Sequence, residues 1–256
     1  MKEKIEKLII DYVENYSNNN NIQTKWKKPI IKFANAKDKG FIKLKKIVTP
    51  THALPKDFLN NAKTVIAYFL PFEEKIAKSN IKGKFCSEKW AKAYLETNDL
   101  ISNLNKYIKA ELEKKDYSAS LIPATHNFDE EILKSDWSHR HVANIAGLGT
   151  FGINNMLITE KGCCGRIGSI ITDVEVESSE KIYKENCLYK YNGSCKKCIE
   201  NCSINSFDKD KFDRFKCYDF LLENDKYHND LDLTDACGKC CVDLPCSFVN
   251  PLNNLK

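Results

Sequence analysis

The sequence has no apolar run approaching the roughly 20 residues needed to cross a bilayer, and its charged first residues are not a secretion signal. It also lacks a Gly-rich phosphate-binding loop of either common type. The net charge is only +5 over 256 residues, and basic and aromatic residues do not interleave in one patch. We therefore expect a soluble, cytoplasmic protein without a membrane partner. A nucleic-acid partner is not expected either, although the composition does not exclude one.

Hydrophobic residues make up 42% of the chain, which is enough for a sizeable core. Apolar residues recur at helical spacing over residues 5–16, and again from an N-cap at Ser87 to about residue 115. Residues 64–70 are typical of a buried strand, because they are rich in β-branched and aromatic side chains, and residues 166–176 are typical of a strand. Residues 29–48 predict short strands or loops.

The cysteines divide the chain into two parts. Nine of the twelve lie between Cys187 and Cys246, in a segment with little continuous apolar sequence. In a reducing cytoplasm these thiols are not expected to form disulfides, and a segment with so little core needs metal in order to fold. We predict an α+β fold with a mixed α/β, cofactor-binding domain at residues 1–180 and a small ferredoxin-like domain at residues 181–256.

The spacing of these cysteines is typical of iron–sulfur proteins. Three of them reproduce the last three positions of the bacterial C-x2-C-x2-C-x3-C run, and another C-x2-C pair follows. Two [4Fe-4S] clusters need eight ligands, which we predict to be Cys187, Cys195, Cys198, Cys202, Cys217, Cys237, Cys240 and Cys246. By the crossover seen in two-cluster ferredoxins, one cluster takes the first three and Cys246, and the other takes the remaining four. Two zinc sites with four thiolates each are the alternative.

The other four cysteines have different predicted roles. Cys241 breaks the pairing pattern and is interpreted as a spare thiol, and Cys86 as a buried core residue. Cys163 and Cys164 lie between two glycines. A surface turn is the favoured interpretation for this pair, and an approach to a cofactor is the alternative.

Several motifs resemble those of epoxyqueuosine reductases, which are related to reductive dehalogenases. The segment from Arg140 through Ala146-Gly147-Leu148-Gly149-Thr150-Phe151-Gly152 is similar to the sequence that precedes the clusters in that family. Further similarities are Gly193-Ser194-Cys195, Cys217 before a Leu-rich helix, and Cys237-Gly238-Lys239-Cys240. The resemblance covers residues 60–250 and is most specific within residues 136–246.

The resemblance implies a cobalamin-dependent enzyme. In that family two [4Fe-4S] clusters relay single electrons to a buried, base-off cobalamin, whose reduced cobalt removes oxygen or halogen from a substrate. It implies that Gly147, Gly149 and Gly152 let the backbone approach the corrin; a helix C-cap and turn is the alternative. It also implies an acid that protonates the product. Asp136 is the nearest candidate, a few residues out of register, and a helix N-cap is its alternative role.

The chain departs from the tRNA-modifying members of that family. They carry a C-terminal helical-repeat extension, whereas this sequence stops at Lys256, and its last cysteine group is C-x2-C-x5-C with Pro245 before the final cysteine. We therefore expect a shortened relative and not the tRNA enzyme itself.

Four other residues are candidates for cofactor binding. His126 follows a strand-like segment, Arg140 and His141 lie on a predicted helix after Asp136, and Arg166 follows a glycine turn. An ordinary surface position is the alternative for each of them. His139, on the same helix, is expected to face solvent.

The sequence thus predicts an iron–sulfur oxidoreductase that relays electrons through two [4Fe-4S] clusters to a bound cofactor. By the resemblance this cofactor is cobalamin, and the substrate is a small molecule or a nucleoside-like group. A ferredoxin or flavodoxin is the expected electron donor. The alternative is a ferredoxin-type electron-transfer protein with no substrate of its own.

Overall fold

The computed structural model describes residues 1–18, 22–123, 128–208 and 211–254. The α-helices in these ranges are α1 (Lys2–Ser17), α2 (Lys39–Ile47), α3 (Pro55–Phe58), α4 (Glu74–Ser79), α5 (Glu88–Glu113), α6 (His139–Ile145), α7 (Leu188–Asn192), α8 (Lys197–Glu200) and α9 (Arg214–Tyr227). The strands are β1 (Ile30–Asn35), β2 (Thr64–Pro71), β3 (Ala119–Ser120), β4 (Phe128–Asp129), β5 (Lys134–Ser135), β6 (Gly149–Phe151), β7 (Leu157–Thr159), β8 (Gly165–Thr172), β9 (Phe207–Asp208) and β10 (Lys211–Phe212). Two 3-10 helices follow, Lys239–Cys241 and Pro251–Asn254.

The centre of the fold is an antiparallel sheet with the strand order β1-β2-β8-β3. Every residue of β2 is buried, because helices cover both faces of the sheet. Ile66 packs on one face with Ile9 of α1 and Leu104 of α5. Val65 packs on the other face with Val142 of α6. The buried strand predicted at residues 64–70 is confirmed, and the mixed helix and strand content confirms an α+β fold.

Helices α1 and α5 confirm the helical patterns over residues 5–16 and from Ser87 to about residue 115. Ser87 caps α5 through its Oγ, which accepts a hydrogen bond from the Trp90 amide at 3.2 Å. Helix α5 has 26 residues but carries charges along its length. No helix in the described part of the chain is long and apolar enough to cross a membrane.

Helix α2 lies where short strands or loops were expected, so that prediction was wrong for residues 39–47. Asp38 starts the helix by accepting a hydrogen bond from the Gly40 amide at 2.7 Å. Only Phe41 and Leu44 are buried in this lysine-rich helix, and two apolar residues are too few to show a helical period.

The cysteine-rich segment packs directly on the sheet and its helices. Cys187, Ala236, Cys241 and Val242 belong to the same buried cluster as α1, α5 and β2. At the far side, the Asn224 side chain of α9 accepts a hydrogen bond from the Cys86 amide at 2.7 Å. The division of the chain at residue 180 and a ferredoxin-like fold for residues 181–256 remain predictions.

Candidate metal and cofactor site

Four of the predicted ligands line one cavity. Cys187 is the N-cap residue of α7. Cys195 lies just before α8, Cys198 lies within it, and Cys246 lies in the C-terminal loop. The rest of the lining is nearly all apolar or backbone: Gly152, Ile153, Asn154, Ile158, Leu188, Leu244, Pro245 and Pro251. Burial, followed by the charges of the other three thiols, raises the pKa of Cys198 to about 12.

The other four predicted ligands form a second group. Burial, and then the charge of Cys202, raises the pKa of Cys217 to about 11. Burial and the charge of Cys217 also contribute to raising the pKa of Cys237 to about 12. Cys240 titrates high because it donates a hydrogen bond to Cys241 and because it is desolvated beside Cys237 and Cys217. The charge of Cys241 acts on Cys217, Cys237 and Cys240 as well, so this fifth thiol accompanies the second group.

Both groups fit the donor set of a [4Fe-4S] cluster, which takes four thiolates. Crowded, desolvated thiolates repel one another, and a cationic iron core removes that cost. Across the described ranges, no three His, Cys, Asp or Glu side chains are placed to hold a single metal ion. In a four-iron cluster each cysteine binds a different iron, so the ligands lie further apart than around one ion. The eight assignments and their partition remain predictions.

The remaining cysteines are all buried. Cys86 is 2% exposed, as expected of a core residue. Cys163 and Cys164 are 5% and 0% exposed, so the favoured surface turn was wrong for them. Their amides bond to the carbonyls of Cys246 and Ser247 at 3.0 Å each, and the Cys164 thiol donates to the Cys241 carbonyl at 2.9 Å. The pair therefore holds the loop that carries Cys246.

Helix α6 directs three consecutive side chains to different places. His139 is buried, although a solvent-facing position was expected. Its Nε2 donates to the Pro123 carbonyl and its Nδ1 accepts from Ser169, both at 2.8 Å. His141 hydrogen-bonds with Ser138 at 2.8 Å and packs on the Phe151 ring. Burial lowers the pKa of each histidine to about 4, so both imidazoles are neutral at pH 7.

Arg140 lies between this helix and the second cysteine group. Its Nη1 donates to the Asn155 carbonyl at 2.8 Å. The side chain reaches solvent, yet the protein around it desolvates the guanidinium and lowers its pKa. The charges of Cys241, Cys240 and Cys217 oppose the pKa shift, so the guanidinium lies on the side of helix α6 that faces these cysteines.

Arg166 begins β8 at the same end of the sheet. Its guanidinium stacks on the Tyr94 ring at 4.4 Å from the ring centre. Burial lowers its pKa, while the charges of Tyr94 and Asp235 raise it and that of Arg140 lowers it further. Its buried Nε has no hydrogen-bond partner among the described residues. The guanidinium groups of Arg140 and Arg166 therefore lie in one region of the protein, and the Nε of Arg166 is a donor without a partner among the described residues.

Asp136 lies on the loop before α6 and is exposed. Its Oδ1 accepts from the Thr51 hydroxyl at 2.5 Å, and Ser138 is the N-cap of α6; the alternative role of Asp136 as helix cap was wrong. His52, which the sequence did not suggest, is fully buried nearby. Its Nε2 accepts from the Ser138 amide at 3.1 Å and its Nδ1 donates to the Ala53 carbonyl at 2.9 Å. His52 thus fixes the loop that presents Asp136.

The glycines of the turn after α6 have packing reasons of their own. Gly147 has a positive φ of 85°, and the amides of Gly147 and Leu148 close a Schellman motif by bonding back to Asn144 and Ala143. A Cβ on Gly149 would meet the Ile158 carbonyl at 2.3 Å, and one on Gly152 the Asn154 side chain at 2.6 Å. These contacts explain the glycines without a cofactor, and their predicted cofactor contacts stay predictions. His126 lies outside the described residues.

No protein-family profile matches this sequence, and no curated protein matches it. Among solved structures it is similar to the epoxyqueuosine reductase of Bacillus subtilis with its catalytic aspartate loop swung out of the active site, at 17% identity and a TM-score of 0.59. It is also similar to an epoxyqueuosine reductase with a modified tRNA-Tyr stem loop, at 18% identity and a TM-score of 0.59. Both matches cover 96% of this chain and 66% of the other, so the chain spans slightly less than two thirds of their length.

A catabolic reductive dehalogenase in complex with 3-bromo-4-hydroxybenzoic acid is similar as well, at 16% identity and a TM-score of 0.56. That match covers 82% of this chain and 28% of the dehalogenase. The likeness in all three cases is one of fold, and it confirms the resemblance inferred from the motifs.

Proposed function

We propose that this chain, which has the fold of the epoxyqueuosine reductases, is a reductase that receives electrons through two [4Fe-4S] clusters. The observation that supports this most is that four of the eight predicted ligands line one apolar cavity, while charges among the other four raise the pKa values of Cys217, Cys237 and Cys240. One group surrounds an apolar cavity, and the other lies beside Arg140. Cys187, Cys195, Cys198 and Cys246 hold the first cluster, and Cys202, Cys217, Cys237 and Cys240 the second.

The chain's own residues set the properties of the two groups. The apolar lining of the first group keeps bulk water away from its thiols. Arg140 places a positive charge against the second group and favours its reduced, more negative state. Lys239 lies between Cys237 and Cys240 of the second group and is 3% exposed. Its Nζ donates to the carbonyls of Asn80 and Lys82 at 2.8 Å each. Those bonds hold the loop on the α/β layer.

The region around Arg140 and Arg166 offers donors for an organic cofactor. Arg140 reaches solvent there and Arg166 contributes a buried Nε without a partner among the described residues. These donors suit the carboxamide rim of a corrinoid, so Arg140 and Arg166, with His141, are the residues proposed to hold cobalamin. When bound, cobalamin supplies a strongly reducing cobalt centre. Asp136, positioned by Thr51 and His52, is the residue proposed to deliver the proton.

A second candidate is an electron carrier with no substrate of its own. The packing contacts of Gly147, Gly149 and Gly152 favour it, because they leave the glycine turn explained without a corrin. A carrier needs only the two cysteine groups and an exposed route to one of them.

Titration of the anaerobically reconstituted protein with cobalamin separates the two candidates. The reductase predicts binding of one cobalamin per chain, seen as a spectral change to the base-off form. It also predicts weaker binding by Arg140→Gln/Arg166→Gln, while Lys43→Gln/Lys46→Gln on α2 serves as the control. Iron-loaded protein that takes up no cobalamin contradicts the reductase and supports the carrier.

The substrate test follows from the solved neighbours. Turnover with dithionite is measured on an epoxyqueuosine-modified stem loop and on a brominated hydroxybenzoate, which represent the nucleoside-like and small-molecule classes. Reduction of one and not the other assigns the class. If cobalamin binds but neither substrate is reduced, both of these substrates are rejected.

A further inference from the structure

We propose that residues 181–197 form a docking surface for a small acidic electron-carrier protein, and that electrons enter the chain there through the first cysteine group. This surface is called the lysine face below. The proposal rests on the proposed function, because it requires a cluster at the first group.

The first cysteine group comes closest to the surface at Cys195 and Cys246. Cys187 and Cys198 are 7% and 8% exposed, whereas Cys195 and Cys246 are half-buried, and residues 192–194 and Lys196 around Cys195 are exposed. Gly193 has a φ of 77°, and no other atoms lie within 4 Å of where its Cβ would be. A partner that docks on this loop brings its own redox centre close to Cys195. Electron transfer becomes faster as the distance between the two redox centres shortens.

The same segment concentrates positive charge. It contains five lysines and one acidic residue, Glu185, in a chain whose formal net charge is only +5. Lys181 pairs with Asp38 at 2.6 Å and Lys197 with Asp243 at 2.8 Å, whereas Lys190 lies at 3.9 Å from Glu185. Lys184 and Lys196 have no ion pair within the described ranges. Three exposed lysines therefore present charge that the protein itself neutralises weakly or not at all.

Exposed aromatic rings accompany these charges. Tyr183 is 89% exposed and Tyr191, in α7, is 62% exposed. Tyrosines are enriched at protein–protein interfaces because their rings bury apolar area while the hydroxyl stays solvated. A surface with exposed lysines and tyrosines complements a partner that carries carboxylates and some apolar area, and such charge complementarity mainly raises the association rate.

No member of the second cysteine group lies within residues 181–197. In the proposed function the second group lies beside Arg140, where the cofactor would bind. The proposed route of the electrons therefore runs from the lysine face through the first group to the second group, and the carrier and the substrate use different surfaces.

The test uses the iron-loaded protein and two reductants, a reduced plant-type [2Fe-2S] ferredoxin as the acidic probe and dithionite as the small one. Stopped-flow absorbance gives the reduction rate of wild type and of Lys184→Glu/Lys190→Glu/Lys196→Glu. The control is Lys4→Glu/Lys106→Glu/Lys115→Glu, three exposed lysines on α1, on α5 and just beyond α5.

At low ionic strength we expect the lysine-face variant to react with ferredoxin at least about tenfold more slowly than wild type, and to lose most of its salt dependence. Its affinity for the ferredoxin, measured by calorimetry, should fall by a similar factor. Iron content and the dithionite rate should match wild type, and the control should behave like wild type throughout. An unchanged ferredoxin rate, or an equal loss in the control, overturns the docking surface. Absence of iron, or clusters that dithionite does not reduce, is instead a failure of the proposed function.

Discussion

Two glycines with left-handed backbone conformations allow the packing of the two cysteine loops to be compared. Gly193 precedes Cys195 in the first group, and Gly238 lies between Cys237 and Cys240 in the second; their φ angles are 77° and 71°. A Cβ on Gly193 meets no atom within 4 Å, whereas one on Gly238 would lie 2.1 Å from the Trp90 ring. Trp90 is 8% exposed in the first turn of α5, so it has little room to move.

The two alanine variants therefore share one cost and differ in another. The left-handed backbone conformation costs an L-residue about 1–2 kcal/mol, and this applies to both Gly193→Ala and Gly238→Ala. Forcing a methyl group into the Trp90 contact adds about 1–3 kcal/mol for Gly238→Ala alone. We expect Gly238→Ala to lose more unfolding free energy than Gly193→Ala by that second amount.

Urea unfolding of the two reconstituted variants and wild type measures this difference. Iron retention after gel filtration gives an independent readout, since Gly238→Ala displaces Cys237 and Cys240 and should shed about half of the iron, while Gly193→Ala should keep most of it. Equal destabilisation and equal iron loss in the two variants would refute the packing of the second loop on Trp90.

Three further predictions concern the site. Arg140→Gln should lower the midpoint potential of the second cluster and leave the first unchanged, with a smaller effect of Arg140→Lys, in an EPR-monitored redox titration; an equal shift of both clusters contradicts the position of Arg140. Asp136→Asn should abolish turnover but preserve iron content and cluster reduction, and full turnover by this variant would remove Asp136 from the chemistry. His139 has a folded-state pKa of about 4, below its unfolded value, so the unfolded state binds the extra proton and stability falls as the pH is lowered. Between pH 6.5 and 5 the free energy of unfolding should fall by roughly 2 kcal/mol because of this histidine. Urea denaturation of His139→Gln at both pH values should show a pH dependence that is smaller by that amount.

The sequence was most informative where local signals were strong. The apolar run of β2 and the capped, periodic pattern of α5 identified both elements, because each is long and its burial follows from its own residues. Helix α2 was missed because only Phe41 and Leu44 are buried in it. Its formation depends on the Asp38 cap and on packing against α6, which a short lysine-rich pattern does not reveal.

The candidate site was predictable in its thiols and less so in its surroundings. Repeated cysteine spacing predicts ligands because short loops bring thiols together. The burial of Cys163 and Cys164 depends on the C-terminal loop 80 residues later, and no local pattern in a Gly-Cys-Cys-Gly turn indicates it. Thr51 and His52 contact the loop of Asp136 across a similarly long stretch of sequence. Such tertiary contacts carry no periodic signal in the sequence.

Metal analysis after anaerobic purification shows whether the eight cysteines hold two [4Fe-4S] clusters. We expect about eight irons and about eight labile sulfides per chain, with a broad absorption band at about 400 nm that reductant bleaches. Cys198→Ala and Cys217→Ala should each retain about half of that iron, while Cys86→Ala should retain all of it. Zinc in place of iron, with no labile sulfide, would show that the cysteines do not hold iron–sulfur clusters.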